Sequence, residues 1–510
     1  MAEPKQLDYE NVKKRFSEAK QRKLLWEDHI RECYRYALPE RNTMDKWSPG
    51  TRKRQFVFDD TAVDALSDFA SRLTATLVPN NTEWMKLEAG TDTNPKDKEQ
   101  IEKFLEETTS KLFEHLNSSN FTSQMDVAFL DLGISTGAII CSEGDGIQSA
   151  LNFRAVSLSE LILENSSRSI VETVFREFKV PVKDIKQTWP KAKLTESLAE
   201  KLANKPTAEV NLIEATVEQD RKYYSILMYP NERVYLVHEE LEYNPWVVFR
   251  ENTIPGEVYG RGRVMRQLNN IKTLNRMVAD YLKGLSFQAN PIFTAADDGV
   301  INPYTMKLQP GVIMPVGSND NANPTLRALQ LSGNPQLMDF AIKNYQDQIR
   351  RTFLSKPFGN IEETPVRSAT EMSIRNADNA ASTLSASSRV QSELLERIVA
   401  NSLYILRKAG KVPEFKVNGR EVKIKFVNPS TRQQDESTLA AYGRFMEFMA
   451  ALPPELVAQK IKVEDVPVNI WDTLGLPASG KRDEEEILDM QNKQKQMMEA
   501  QQGQPPEGAV

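Results

Sequence analysis

Cysteine, histidine and long apolar runs are all scarce in this 510-residue chain. Two cysteines, Cys33 and Cys141, exclude a disulfide framework and point to a reducing compartment. Three histidines, His29, His115 and His238, lie too far apart in sequence for a His-based metal site to be expected. No apolar run approaches the ~18 residues of a membrane span, and mean hydropathy is -0.50. The opening residues, MAEPKQLDYENVKKRF, carry charges where a secretory leader needs an apolar stretch. A positive excess is missing too: 65 Lys and Arg against 71 Asp and Glu leave a net charge of -6. Such a chain does not grip nucleic acid over its whole surface, although it can let a duplex pass.

Catalytic motifs are absent in the same way. No Gly-Lys-Ser or Gly-Lys-Thr occurs, since Gly410-Lys411 and Gly480-Lys481 run on to Val412 and Arg482, so there is no phosphate-binding P-loop. Gly260-Arg261-Gly262 lacks the third glycine of a dinucleotide fingerprint. Asp297-Asp298-Gly299 is not a calcium loop, because Leu308 stands where the closing glutamate belongs. Asp59-Asp60 precedes a helix and reads first as a cap in the field of the helix dipole. Cys33 falls on an apolar stripe and reads as a buried structural thiol. With Asp297 and Asp298, the pair Asp59-Asp60 leaves a magnesium-dependent nucleic-acid-processing enzyme as the alternative reading.

What is present is a globular composition, 40% hydrophobic and 27% charged, long enough for two to four domains. Val12, Phe16, Ala19, Trp26, Ile30, Cys33 and Ala37 form one stripe of a long helix that Pro39 ends. A basic loop with Arg41, Lys46, Arg52, Lys53 and Arg54 follows, then helices over 61–78 and 97–116 and one starting near Ser123. From Gly137 the period shortens to two. Strands are expected at 137–141, 151–156, 210–218, 222–229, 233–238 and 246–250, with a helical hairpin near 181–203, so the fold class is α+β and helix-rich.

The region from 260 to 410 is the most patterned. Val264, Leu268, Ile271, Leu274, Val278 and Leu282 predict a helix over 260–285, with Arg261, Arg263, Arg266, Lys272, Arg276 and Lys283 on its other face. A loop-and-strand module rich in Pro, Gly, Asn and Asp follows. A second helix is expected from Pro335 through Phe353, capped by Asn334 and stopped by Lys356-Pro357. Ser368 to Glu371 has capping-box spacing for a third long helix, and Gly410 with Pro413 ends it. A strand at 422–427 and helices near 435–451 and 454–461 complete the pattern, ahead of a Gln- and Met-rich tail expected to be flexible.

Four segments, VDALSDFASRLTATLVPNNTEWMKLEAG (63–90), GEVYGRGRVMRQLNNIKTLNRM (256–277), ETPVRSATEMSIRNADN (363–379) and DTLGLPASGKRDEEEILDMQNKQKQMMEAQQ (472–502), carry a likeness. Together the chain resembles the portal, or head-to-tail connector, proteins of short-tailed podovirus-type bacteriophages. Arg263 stands where many members have proline.

The resemblance implies a dodecameric homo-oligomeric ring at one capsid vertex of the virion, assembled in the host cytoplasm. By position, 1–258 and 367–433 would form the wing, the latter holding a long helix and a strand. Helices 259–286 and 335–355 would form the stem, 287–334 the clip, 434–480 a crown and 481–510 a flexible tail. A tunnel loop, 356–366, would face the DNA channel, with Lys356, Pro357, Phe358, Gly359, Asn360, Glu362, Glu363 and the adjoining Arg367 as its site residues and Arg350 and Arg351 as candidate channel cations. Partners would be viral double-stranded DNA, terminase, tail adaptor and nozzle proteins, and the major capsid and scaffolding proteins. No catalytic residue, metal, cofactor or membrane is implied. Another virion protein, such as a tail adaptor, is the nearest structural alternative.

Overall fold

The computed structural model describes residues 7–45, 48, 50–89, 95–146, 148–164, 170–289, 293–295, 326–328, 335–354, 389–413 and 422–426, with 441–445, 447, 470, 471 and 490 besides. The chain divides into two compact units. One comprises Met1–Glu27, Phe69–Gly262 and Pro357–Val510; the other comprises Asp28–Asp68 and Arg263–Lys356.

In the first unit the main element is a five-stranded antiparallel sheet of β4 (Leu161–Leu163), β5 (Val174–Pro181), β6 (Glu209–Gln219), β7 (Lys222–Tyr229) and β8 (Val234–Leu241), in sequence order. Its strands alternate, so each face needs its own cover. The N-terminal half of α1 (Tyr9–Ala37) covers one face, packing Val12, Phe16 and Ala19 on Phe175, Ala215 and Ile226. The hairpin of α5 (Val182–Thr188) and α6 (Glu196–Asn204) covers the other, through Ile185 and Leu198 on Leu212 and Tyr229. Both helices of that hairpin are where the sequence expects them.

β5 was not expected as a strand. It carries Arg176, Glu177 and Lys179, which mask the alternation, and the first two are paired. Arg176 reaches Glu160 at 2.7 Å and Glu214 at 3.3 Å, and Lys20 reaches Glu177 at 2.5 Å.

A second sheet has the order β3 (Leu151–Ala155), β2 (Thr136–Glu143), β9 (Trp246–Arg250), with α4 (Phe121–Ile134) packed on β2. Among the described residues the outer edge of β9 meets no strand. There the carboxylate of Glu393 accepts the Arg250 N–H at 3.0 Å and pairs with the buried Arg250 guanidinium at 2.9 Å. Glu393 lies in a π-helical turn, Gln391–Leu395, that leads into α9 (Glu396–Lys408). Gly410, at φ +68°, and Pro413 end α9 as expected. The expected strand near 422 is β12 (Val422–Phe426), and it pairs with the unexpected β1 (Met85–Ala89). α3 (Pro95–Ser118) matches its expected helix.

The run Gly260-Arg261-Gly262 has a structural explanation. A Cβ on Gly262 would collide with the Ile134 carbonyl, and one on Gly260 would lie 2.7 Å from the Ser135 carbonyl. The Gly260 N–H donates to Thr136 at 2.9 Å and its carbonyl accepts from Ser135 at 2.7 Å. The two glycines therefore let one backbone lie against another.

Candidate functional site

In the second unit the site is a pair of helices, α7 (Arg263–Ala289) and α8 (Pro335–Thr352). At 1.5 Å per residue α7 is about 40 Å long. The expected start at Gly260 is corrected to Arg263, because the preceding glycines are committed to the close approach at Ile134 and Ser135. α8 ends at Thr352, and Leu354 at φ +57° turns the chain away.

The two helices are antiparallel. Arg263, 5% exposed, donates to the Thr352 carbonyl at 2.5 Å, and Gln267 donates to the Thr352 hydroxyl at 3.0 Å. A cation on the last carbonyls of a helix opposes the negative end of its dipole. Val264, Leu268, Ile271 and Leu274 are buried at this end of the pair, as are Ile349 and Phe353. Toward the other end the stripes continue but their cover does not. Leu282, Leu285 and Phe287 on α7 and Leu337 and Phe340 on α8 are exposed, Leu337 at 67% and Phe340 at 64%.

The basic face expected on this helix is smaller than the sequence implies. Arg261 lies before the helix, held by Glu257 at 2.6 Å and stacked over Trp26, and Arg263 is buried. Lys272 pairs with Glu32 at 2.9 Å and Arg276 with Asp280 at 2.9 Å. Arg350 lies 4.0 Å from Asp347, and Arg350 and Arg351 are both exposed.

Across this pair runs the basic loop. Asn275, 8% exposed, accepts the N–H groups of Phe58 at 2.6 Å and Asp59 at 3.3 Å and donates to the Phe56 carbonyl at 2.8 Å. Gln346 on α8 donates to the Asp59 carboxylate at 2.8 Å. The other oxygen of Asp59 accepts the Thr61 N–H at 3.0 Å, at the start of α2 (Thr61–Leu77). This is the cap reading of that carboxylate, and Asp60 faces Arg54 at 3.4 Å. Arg54 also pairs with Glu40, while Lys53 donates to the carbonyls of Glu40 and Asn42. Lys53 and Arg54 are thus spent on holding the loop, with Phe56 and Phe58 left exposed. Nearby, the Arg35 guanidinium hydrogen-bonds Asp45 at 2.8 Å and holds its carboxyl below the usual range.

Among the described residues no group of three or more metal-ligating side chains occurs, and no helix is long and apolar enough to cross a membrane. Cys33 is fully buried and burial raises its thiol; Cys141, also buried, is pushed up to about 12. The loop residues Lys356, Pro357, Phe358, Gly359, Asn360, Glu362, Glu363 and Arg367 lie outside the described residues, as do Asp297 and Asp298. Of the intervening module, strands β10 (Phe293–Ala295) and β11 (Leu326–Ala328) are described, paired antiparallel.

Residues 9–480 match the family described as bacteriophage head to tail connecting protein. The chain belongs to that family. As a connector it is a structural protein of the phage virion, located at the head-tail junction. No curated protein matches the chain. Sequence reasoning missed Asn275 and Gln346 as the staples of the connector's basic loop. The available signal was a polar residue, Asn275, beside Leu274 on the buried side of an apolar stripe.

Proposed function

We propose that the chain is one subunit of a portal ring at a single capsid vertex, whose channel passes double-stranded DNA during packaging and ejection. The carrying observation is the family match over 9–480, read with a helix pair that leaves apolar side chains uncovered on both of its helices. Neighbours in a closed ring meet through two different surfaces. α7 offers Leu282, Leu285 and Phe287 for one of them, and α8 offers Leu337 and Phe340 for the other.

In this reading 1–258 and 367–433 are wing, 259–286 and 335–355 stem, and 434–480 crown. The clip, 287–334, receives terminase during packaging and tail adaptor and nozzle proteins afterwards. Twelve copies at -6 carry -72, so the ring is acidic and DNA slides instead of sticking. Each phosphate neutralised by a fixed cation would add salt-sensitive affinity and brake translocation. A few cations, Lys356 and Arg367 at the tunnel loop with Arg350 and Arg351 below it, centre the duplex through its phosphates without reading sequence. The exposure of Arg350 and Arg351 supports their part in this.

Light scattering and negative-stain microscopy of the purified chain test the reading. The expected particle is a ring with a central hole and twelve times the 57.9 kDa subunit mass. A monomer or dimer at every concentration would overturn it. Lys356→Ala with Arg367→Ala should leave the ring intact and alter packaged length or DNA retention.

A further inference from the structure

β8 carries a histidine that the proposed ring does not use. The Nε2 of His238 accepts the backbone N–H of Leu7 at 3.3 Å, two residues ahead of α1. A neutral imidazole accepts at Nε2 only when its proton sits on Nδ1, so this bond fixes both charge and tautomer. Leu7 is 6% exposed and belongs to the core cluster between α1 and the sheet. Around the imidazole stand Tyr224 and Tyr235, each with its ring centroid 5.7 Å away, and Tyr9 packs on Tyr235 at 5.3 Å. The hydroxyls of Tyr9 and Tyr235 are buried with no hydrogen-bond partner among the described residues. Opening this corner hydrates both.

We propose that His238 is a pH latch on the entry to α1: neutral, it holds Leu7 on the sheet, and protonated, it releases it. Protonation turns the acceptor that faces the Leu7 N–H into a second donor, so attraction becomes repulsion. The charged groups around the ring cluster are Asp8 and Glu10 from the α1 side and Arg233 at the start of β8, 3.7 Å from Glu10. On β8 itself Glu239 and Glu240 are paired with Lys191 and Lys222. Burial draws the imidazole below the ordinary histidine value, against the pull of its own backbone hydrogen bond. The sign follows from that direction. With the folded value below the unfolded one, the hold is complete above about pH 6.5 and is lost as pH falls through the lower folded value.

Hydrogen exchange of the full-length chain, read on peptides containing Leu7 and divided by the intrinsic exchange rate, tests the latch between about pH 7.5 and 5. Protection at Leu7 should fall by up to tenfold per pH unit from about pH 6.5 down to the lower folded value and level off below it, while peptides from β6 and β7 stay protected. His238→Gln keeps an acceptor and removes the titration, so its profile should be flat. A flat profile in the wild type, or an acid loss that survives in a folded His238→Gln chain, would overturn the proposal. If His238→Gln does not fold, Asp8→Asn with Glu10→Gln decides: the acid loss should remain, and its disappearance would assign the effect to the carboxylates instead.

Discussion

The five-stranded sheet and the α7–α8 pair dispose of their apolar residues in opposite ways. The sheet is covered on both faces, by α1 on one and by α5 and α6 on the other, and Arg176 and Glu177 on its charged strand β5 are paired. The helix pair buries one end and leaves the other open, with Leu282, Leu285, Phe287, Leu337 and Phe340 at its surface. The difference separates two uses of the same chemistry. Burial inside the chain completes a fold, whereas an apolar stripe that continues past its cover provides for a partner. In the proposed ring, the first kind of surface sets stability and the second sets assembly.

The largest effect that would break this contrast lies at the open end. Leu337→Asp with Phe340→Asp should abolish assembly in light scattering, yet leave the thermal unfolding of the chain nearly unmoved, since exposed substitutions stay within about 0.5 kcal/mol. Intact rings in the double variant would mean that the exposed stripe is not the contact. Next comes Gly262→Ala on the covered side. The added Cβ meets the Ile134 carbonyl, which is backbone and cannot swing away, so a loss of about 1–3 kcal/mol in denaturant unfolding is expected. A neutral outcome would show that the approach of the two backbones is looser than the geometry implies. Asn275→Ala should cost about 1–2 kcal/mol by stranding the N–H groups of Phe58 and Asp59, with faster proteolysis of the 52–58 loop as its specific sign.

What could be read from the sequence follows the same division. Helix stripes with a single covered face were legible, and α1 and α9 end where Pro39 and Gly410 say they should. β5 was not, because its charges are satisfied across strands that sequence alone does not pair. Nor was the burial of Arg263: a cation in a run of cations reads as a solvated face until the facing helix end is known. Asn275 is the sharpest case. Its three hydrogen bonds go to a loop more than two hundred positions earlier, so no local period announces them.

The smallest effect concerns how completely the sheet is covered. Lys23, on the face of α1 that packs against the sheet, is 8% exposed and donates to the Ser159 carbonyl. Burial lowers it to about 8, against the opposing pull of Glu27, Glu177 and Glu160. Below that value the amine is charged in both the folded and unfolded states, and the cost of burying the charge is fully present. As pH rises from about 8 toward its ordinary value of 10.5, the folded form gives up its proton first, so this group makes stability climb with pH. Cys33 and Cys141, raised by burial, act the other way once thiols begin to ionise near 9, and Tyr9 and Tyr235 do so near 10, so the Lys23 contribution is read as the difference between wild type and a variant without the amine. Lys23→Met exchanges one hydrogen bond for the loss of a buried charge, a trade that is often neutral. The variant should therefore unfold at nearly the wild-type denaturant midpoint at pH 7, and the wild type should gain stability relative to it as pH rises from about 8 to 10. A difference between the two chains that stays constant over that interval would place the titrating group elsewhere and leave the cover over the sheet wetter than its contacts indicate.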